Sequence, residues 1–318
     1  LKCGSRFRMS AILCSLFFLN VFCLRYCFQS DDSNALSRNM STEQNPCGDS
    51  EMKFSGIFKS LDAVKKCLHS EKYVNLPEVQ ELLKIFNANF SAANNEVVDR
   101  SQRKVFIVLE GIDASGKTTI SKRLTKLISG RQLCTPPPAL LGLREQFDRH
   151  EMELRRAYYA LGNYLAAQQV RDIYKTEPVI MDRFWHSTAA YAIAQQTVER
   201  PNANIPPEGD SVYEWPGDLL RPDIVFFLSV SESKRLDRLM RRKSKEVTRE
   251  ELKMKDNKAL RDAMLQAYLW MKNPRVRLIN ADFYPKGVTT ACLNALTAEK
   301  FVQKEDLAVN SDAVRSSE

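Results

Sequence analysis

No Cys-x-x-Cys pair occurs among the eight cysteines of this 318-residue chain. That removes the common ligand spacing of a zinc site, and the scattered positions give no disulfide framework. Cys3, Cys14, Cys23 and Cys27 lie in or beside an N-terminal apolar segment, whereas Cys47, Cys67, Cys134 and Cys292 are dispersed. The pattern is that of reduced thiols in an intracellular compartment. No internal repeat is visible, and no basic segment is interleaved with aromatics. Nucleic acid is therefore not expected as a partner despite the formal charge of +8, since nucleotides are polyanions too. The apolar run at 11–24, broken only by Ser15 and Asn20, is too short for a comfortable membrane span. Lys2, Arg6 and Arg8 precede it and the first acidic residue is Asp31, so it resembles a signal-peptide core or a short anchor. A mitochondrial presequence is also basic and poor in acids, but it is amphipathic, and this run is not.

What is present is an apolar content of 44%, ordinary for a globular chain. The length leaves room for one α/β domain of about 200 residues plus extensions. The segment Val105-Phe-Ile-Val-Leu-Glu-Gly-Ile-Asp-Ala-Ser-Gly-Lys-Thr-Thr119 reads as a buried strand entering a phosphate-binding loop. Gly111 and Gly116-Lys117-Thr118 fit G-x-x-x-x-G-K-[ST]. Ile120, Leu124, Leu127 and Ile128 follow at helical spacing. Small residues let successive backbone N–H groups turn inward around phosphate oxygens, and the helix N-terminus adds positive potential. Gly111, Asp113, Ala114, Ser115, Gly116, Lys117, Thr118 and Thr119 are thus the expected nucleotide cradle. Lys117 is expected on the β- and γ-phosphates and the Thr118 hydroxyl on Mg²⁺. The alternative, a chance match in an ordinary βα turn, is disfavoured because the context is right on both sides.

A second apolar strand, 178–181, ends in Asp182-Arg183. An acid at the carboxyl edge of a parallel sheet suits Mg²⁺ held through water, and the adjacent guanidinium suits a second phosphate. A strand-end surface pair is the competing explanation. The third feature is basic: Arg235, Arg238, Arg241, Arg242, Lys243, Lys245 and Arg249 fall close together. A charge run is commonly a solvated helix face. Beside a phosphate loop it reads instead as a lid that brings arginine to a migrating phosphoryl group. No Asn-Lys-x-Asp guanine motif appears, which argues against a GTPase switch.

Strand patterns at 104–109, 132–135, 179–182, 223–230 and 276–280 alternate with helical patterns at 117–129, 144–175, 185–198, 231–242, 248–272 and 287–300. Alternation of this kind implies a parallel sheet between helix layers. The expected fold is a three-layer α/β/α of P-loop NTPase type, with five strands and a helical lid. The expected organisation is a targeting or anchor segment at 1–28, a disordered linker at 29–52 and a helical extension at 53–100. The catalytic domain spans 104–300, and a polar tail follows at 301–318. Two extension helices are expected at 54–68 and 77–90.

The phosphate loop 106–119, the segment Asp182-Arg-Phe-Trp-His-Ser-Thr-Ala-Ala-Tyr191 and the strand Arg221-Pro-Asp-Ile-Val-Phe-Phe-Leu228 together resemble the thymidylate kinase family. Arg155-Arg-Ala-Tyr-Tyr-Ala-Leu-Gly-Asn-Tyr164 and Val212-Tyr-Glu-Trp-Pro-Gly-Asp-Leu-Leu-Arg-Pro-Asp223 are most similar to its mitochondrial UMP–CMP kinase branch. The resemblance covers roughly 54–300. It implies ATP and Mg²⁺, transfer of the γ-phosphoryl group to a pyrimidine nucleoside monophosphate, and a mitochondrial location. It places Asp113 on the acceptor sugar, Arg183 on the acceptor phosphate, Tyr191 beneath the sugar and Tyr159 near the base. Tyr164 stands where the family usually has an arginine, a change that favours cytosine and uracil over thymine. The family's arginine after the second strand is replaced within Pro136-Pro-Pro138, leaving Arg144, Arg155 or Arg156 to take over. With no arginine in the phosphate loop, the resemblance assigns the catalytic arginines to the lid, at Arg238, Arg241 and Arg242. The remaining partner expectations are a second copy of the chain and contact of the N-terminal segment with a membrane. The rival readings are thymidylate kinase proper and a non-catalytic nucleotide-binding regulator anchored by its N-terminus.

Overall fold

Alternate residues of the run at 105–109 enter different hydrophobic clusters. Phe106 and Val108 join one; Val105, Ile107 and Leu109 join the other. A period of two with both faces apolar demands cover on both sides, which is the condition for a central parallel strand. The computed structural model describes residues 54–91, 98–200, 204–241, 254–255 and 257–303. It shows this strand, β1 (Phe106–Glu110), flanked by β3 (Val179–Asp182) and β4 (Ile224–Ser229). Outside these lie β2 (Arg131–Cys134) and β5 (Val276–Asn280), giving five parallel strands in the order β2-β3-β1-β4-β5. Charged Arg131 and Arg277 sit on the edge strands, where a flat apolar edge would invite unwanted pairing.

One face carries α3 (Lys117–Leu127) and α9 (Pro285–Ala298); Leu124, Cys292 and Leu296 are fully buried there. The other face carries α5 (Met152–Ile173), α6 (Trp185–Glu199) and α8 (Lys258–Trp270). Two N-terminal helices, α1 (Leu61–Leu68) and α2 (Pro77–Asn89), join that same cluster through Val64, Leu68, Leu82 and Phe86. Each such side chain, fully buried, contributes roughly 1.5–3 kcal/mol of transfer free energy.

Several expected boundaries move. The helix read over 144–175 is two: α4 (Arg144–Arg149) and α5, with extended backbone at His150 and Glu151 between them. Tertiary contacts override helix propensity at this break. His150 Nε2 meets Glu78 Oε1 at 2.5 Å, and Glu151 accepts from Tyr73 at 2.7 Å. The helix expected over 54–68 begins only at Leu61, where the Ser60 side chain caps it by accepting from Ala63 N at 3.1 Å. Residues before it dock instead: Ser55 N donates to Gln196 Oε1 at 2.8 Å, and Lys59 Nζ to the Glu214 carbonyl at 2.7 Å. The helix expected as a lid over 231–242 is α7 (Glu232–Arg241). The expectations for 1–28 and 29–52, for Arg242 and for the tail beyond Gln303 lie outside the described residues. Among the described residues, no helix is long and apolar enough to cross a membrane.

Candidate active site

β1 delivers the chain to a loop that only unusual backbone can follow. Gly111 has φ 141°, and a Cβ there would lie 2.8 Å from the Leu228 carbonyl oxygen. Gly116, φ 100°, starts α3 with no side-chain cap, so the first N–H groups of the helix stay open toward the loop. Lys117 folds back over this cradle and donates to the Gly111 and Ile112 carbonyls, each at 2.9 Å. Burial, reinforced by the Arg183 charge, pulls its ammonium down to about 8. Thr118 Oγ1 donates to Asp182 Oδ2 at 2.7 Å, because β1 and β3 are neighbours in register at Leu109 and Asp182.

Arg183 occupies the next position at φ 68°, left-handed backbone that costs a non-glycine residue about 1–3 kcal/mol. Its contacts hold it there. Nη1 donates to the Gly111 carbonyl at 3.0 Å and to Ser187 Oγ at 3.1 Å, and Nη2 to Asp113 Oδ1 at 2.5 Å. Asp113 Oδ2 accepts from the Tyr191 hydroxyl at 3.3 Å. Burial alone would raise Asp113, but Arg183, Lys117 and Tyr191 outweigh it and hold the carboxyl below its ordinary range. Two guanidinium groups approach the Tyr191 ring, Arg156 at 5.5 Å and Arg183 at 6.0 Å from its centroid.

Beneath this network sits a residue that sequence reading missed. Glu110 ends β1 and is fully buried. Its Oε1 accepts from Phe184 N at 2.9 Å and Ser187 N at 3.3 Å. Its Oε2 accepts from Ser187 Oγ at 2.5 Å and the Tyr268 hydroxyl at 3.0 Å. Burial raises its carboxyl, opposed by the Arg183 charge and these donors. A carboxylate closing an otherwise apolar strand was the available signal.

Two clefts adjoin this network, one against the phosphate loop and one against Tyr191. The larger, about 950 Å³, is lined by the loop from Ala114 through Thr119 and by Arg238, Arg241 and Tyr284. Arg238 braces the loop: Nη1 donates to the Ser115 carbonyl at 3.1 Å and Nη2 to the Ala281 carbonyl at 2.6 Å. The smaller, about 390 Å³, is lined by Tyr191, Arg155, Arg156, Gln195 and Asp148. Arg155 and Arg156 share Gln195 Oε1 at 2.8 and 3.2 Å, and Arg144 pairs with Asp148 at 3.5 Å. The Tyr159 hydroxyl donates to Asp148 at 2.8 Å, which brings it to the edge of this cleft. Tyr164 is placed differently. Its hydroxyl donates to Asp218 Oδ1 at 2.6 Å, and Asp218 Oδ2 accepts from Leu61 N at 2.8 Å. It faces the start of α1, and the expectation that it reads a base meets that prior commitment.

A parallel sheet in this order, with the G-x-x-x-x-G-K-T loop between its middle strand and the next helix, defines a P-loop nucleotide-binding α/β fold. The thymidylate kinase family model matches residues 109–289, and the chain belongs to that family of phosphotransferases. Human "UMP-CMP kinase 2, mitochondrial" is 39% identical over 175 residues, 55% of this chain and 38% of that protein. The chain thus spans well under half of that relative's length. A thymidylate kinase from Leptospira interrogans is 30% identical over 163 residues, 45% of this chain and 72% of its own length. A solved thymidylate kinase from Candida albicans matches with a TM-score of 0.48 and 20% identity, over 63% of this chain and 93% of that one.

Proposed function

We propose that the chain is an ATP-dependent pyrimidine nucleoside monophosphate kinase, with UMP, CMP, dUMP and dCMP as acceptors. The observation that carries this reading is the position of Arg183. It is hydrogen-bonded to Gly111 and Asp113 of the phosphate loop, and its guanidinium lies 6.0 Å from the ring centroid of Tyr191, which lines the second cleft. Two phosphate-bearing ligands can then meet across one guanidinium. In this reading ATP takes the larger cleft. Lys117 leaves the loop carbonyls for the β- and γ-phosphates, and Arg183 holds the acceptor phosphate by its planar fork. Asp113 orients Arg183 and, with Tyr191, the acceptor sugar. Phosphoryl transfer needs little covalent help from the protein, so positioning and charge carry the rate.

Thr118 Oγ1 and Asp182 Oδ2, 2.7 Å apart, fit Mg²⁺. That ion takes one or two carboxylates and fills its shell with water and phosphate oxygens. Among the described residues no cluster of three or more His, Cys, Asp or Glu offers an all-protein cage, as this mode requires none. When bound, the ion neutralises charge on the β- and γ-phosphates. The resemblance to a protein named as mitochondrial supports the same location for this chain.

The second reading, dTMP kinase, is favoured by the family match and by the engagement of Tyr164 with Asp218 rather than with the acceptor cleft. An acceptor panel decides. kcat/KM for dCMP and dUMP is expected to exceed that for dTMP, and the reverse order makes the chain a thymidylate kinase. Any turnover above background also removes the non-catalytic regulator. A second expectation concerns α7. Arg238→Ala is expected to lower kcat about 10²-fold with little change in acceptor KM, the scale of one lost preorganised donor. A steady-state kcat equal to wild type would leave Arg238 as a brace on a solvated helix.

A further inference from the structure

α7 carries a second arginine that this mechanism leaves unused. Arg235 is the largest fully buried side chain described. Its Nε and Nη2 both donate to the Glu232 carboxylate at 2.7 Å, which fixes the plane of the guanidinium. Its Nη1 is buried and has no hydrogen-bond partner. Glu232 does not balance the local charge either, because Arg261 Nε also approaches Oε2, at 3.4 Å. One carboxylate therefore serves two guanidinium groups, and the N–H groups of Nη1 are left over in a buried place. An orphan of this kind is costly and points to a missing acceptor.

The surroundings say which acceptor. Lys234, Asp237, Arg238 and Arg241 line the larger cleft. At 3.6 residues per turn, Arg235 lies about 100° round the helix from Lys234. The Glu232 bonds hold the Arg235 guanidinium charged against its burial, with smaller support from Asp113 and Tyr191 of the Arg183 network. From α7, Arg238 reaches the phosphate loop, while Glu232, which holds Arg235, also meets Arg261 of α8, the helix whose Leu260 lines the smaller cleft.

We infer that Arg235 Nη1 binds an oxygen of the acceptor phosphate, making Arg235 a second phosphate-contacting arginine beside Arg183. This rests on the monophosphate kinase reading. A phosphate dianion between the two guanidiniums would supply the charge that Asp113 and Glu232 leave short. A fixed fork whose Nη1 keeps both N–H groups free is preorganised for that role.

The test compares dCMP with deoxycytidine, which lacks the phosphate, by titration calorimetry on the full chain. Arg235→Lys keeps a positive charge but loses the fork. It is expected to weaken dCMP about tenfold and leave deoxycytidine unchanged, with acceptor KM rising in parallel and ATP KM within about twofold. Glu232→Gln, which loosens the fork and keeps Nη1, is expected to weaken dCMP by a smaller factor, again with no effect on the nucleoside. Equal weakening of dCMP and deoxycytidine would make Arg235 a packing residue, and no change in either would make its neighbour a buried water; both overturn the inference. Wild-type protein that binds no pyrimidine monophosphate overturns the kinase reading itself, and this inference with it. If dTMP is the preferred acceptor, the same comparison is made with dTMP and thymidine.

Discussion

Lys117→Met is expected to stabilise the ligand-free protein at pH 7 while cutting kcat about a hundredfold or more, equivalent to about 3 kcal/mol of barrier. The two effects share a cause. The ammonium is buried against Arg183 and is held at about 8, against an ordinary value of 10.5. At pH 7 the lysine is charged in both folded and unfolded chains, so the whole cost of burying that charge is present. Between pH 8 and 10.5 the unfolded lysine keeps its proton and the folded one has lost it. The unfolded state then binds more protons, and this group's contribution to stability rises with pH. Methionine has similar length and no charge. It recovers on the order of 2 kcal/mol at pH 7, after allowing for the lost bonds to the Gly111 and Ile112 carbonyls. Melting curves across pH 7 to 10.5 check the assignment. The gap between variant and wild type should shrink as pH rises, and a variant that melts lower at pH 7 would show that no such cost exists. A bound triphosphate supplies the countercharge the lysine lacks, so nucleotide affinity should fall as pH climbs through 8.

Glu110→Ala carries the largest expected loss of stability, about 3 kcal/mol, the scale of breaking a buried, hydrogen-bonded charge network. Four bonds are lost at once, from Phe184 N, Ser187 N, Ser187 Oγ and the Tyr268 hydroxyl; Ser187 N keeps the Phe184 carbonyl and Tyr268 can still reach Ser187 Oγ. Three of these donors, on Phe184 and Ser187, follow closely on Arg183 and its left-handed backbone. The loss should therefore reach catalysis, with kcat/KM falling beyond what unfolding explains. Denaturant melts give the first quantity, and kinetics well below the melting temperature give the second. Wild-type kcat/KM in a destabilised variant would confine Glu110 to packing.

What could be read from the chain, and what could not, follows from sequence distance. The strand, phosphate loop and helix at 105–128 are contiguous, and each constraint on them is local: an apolar run, glycines where φ is positive, helical spacing after Lys117. Asp182 and Arg183 were legible because a strand's last residue always points to the same edge of a parallel sheet. Glu110 was not, since its function depends on Ser187 and Tyr268, 77 and 158 residues further on. The Tyr164 expectation comes from the family resemblance, and the pairing of its hydroxyl with Asp218, 54 residues away, leaves no mark on the sequence around it. The break at His150 has the same origin: its cause, Glu78, lies 72 residues earlier. Arg235 was visible as one charge in a run, but a run of charges does not say which member is buried.

Helix α5 answers to two neighbours at once. Arg155, Arg156 and Tyr159 lie at the smaller cleft, while Leu154, Tyr158 and Leu161 share the cluster that buries Val64, Leu68, Leu82 and Phe86 of α1 and α2. Gly56 seals this junction from the other direction, since a Cβ there would lie 3.0 Å from Cβ and Cγ of Arg156. The extension is thus a buttress, and the width of the cleft is a dimension it helps to set. Sequence drift in residues 54–89 that alters packing volume would be transmitted as a change of fit for the acceptor, without any residue in the pocket having been touched.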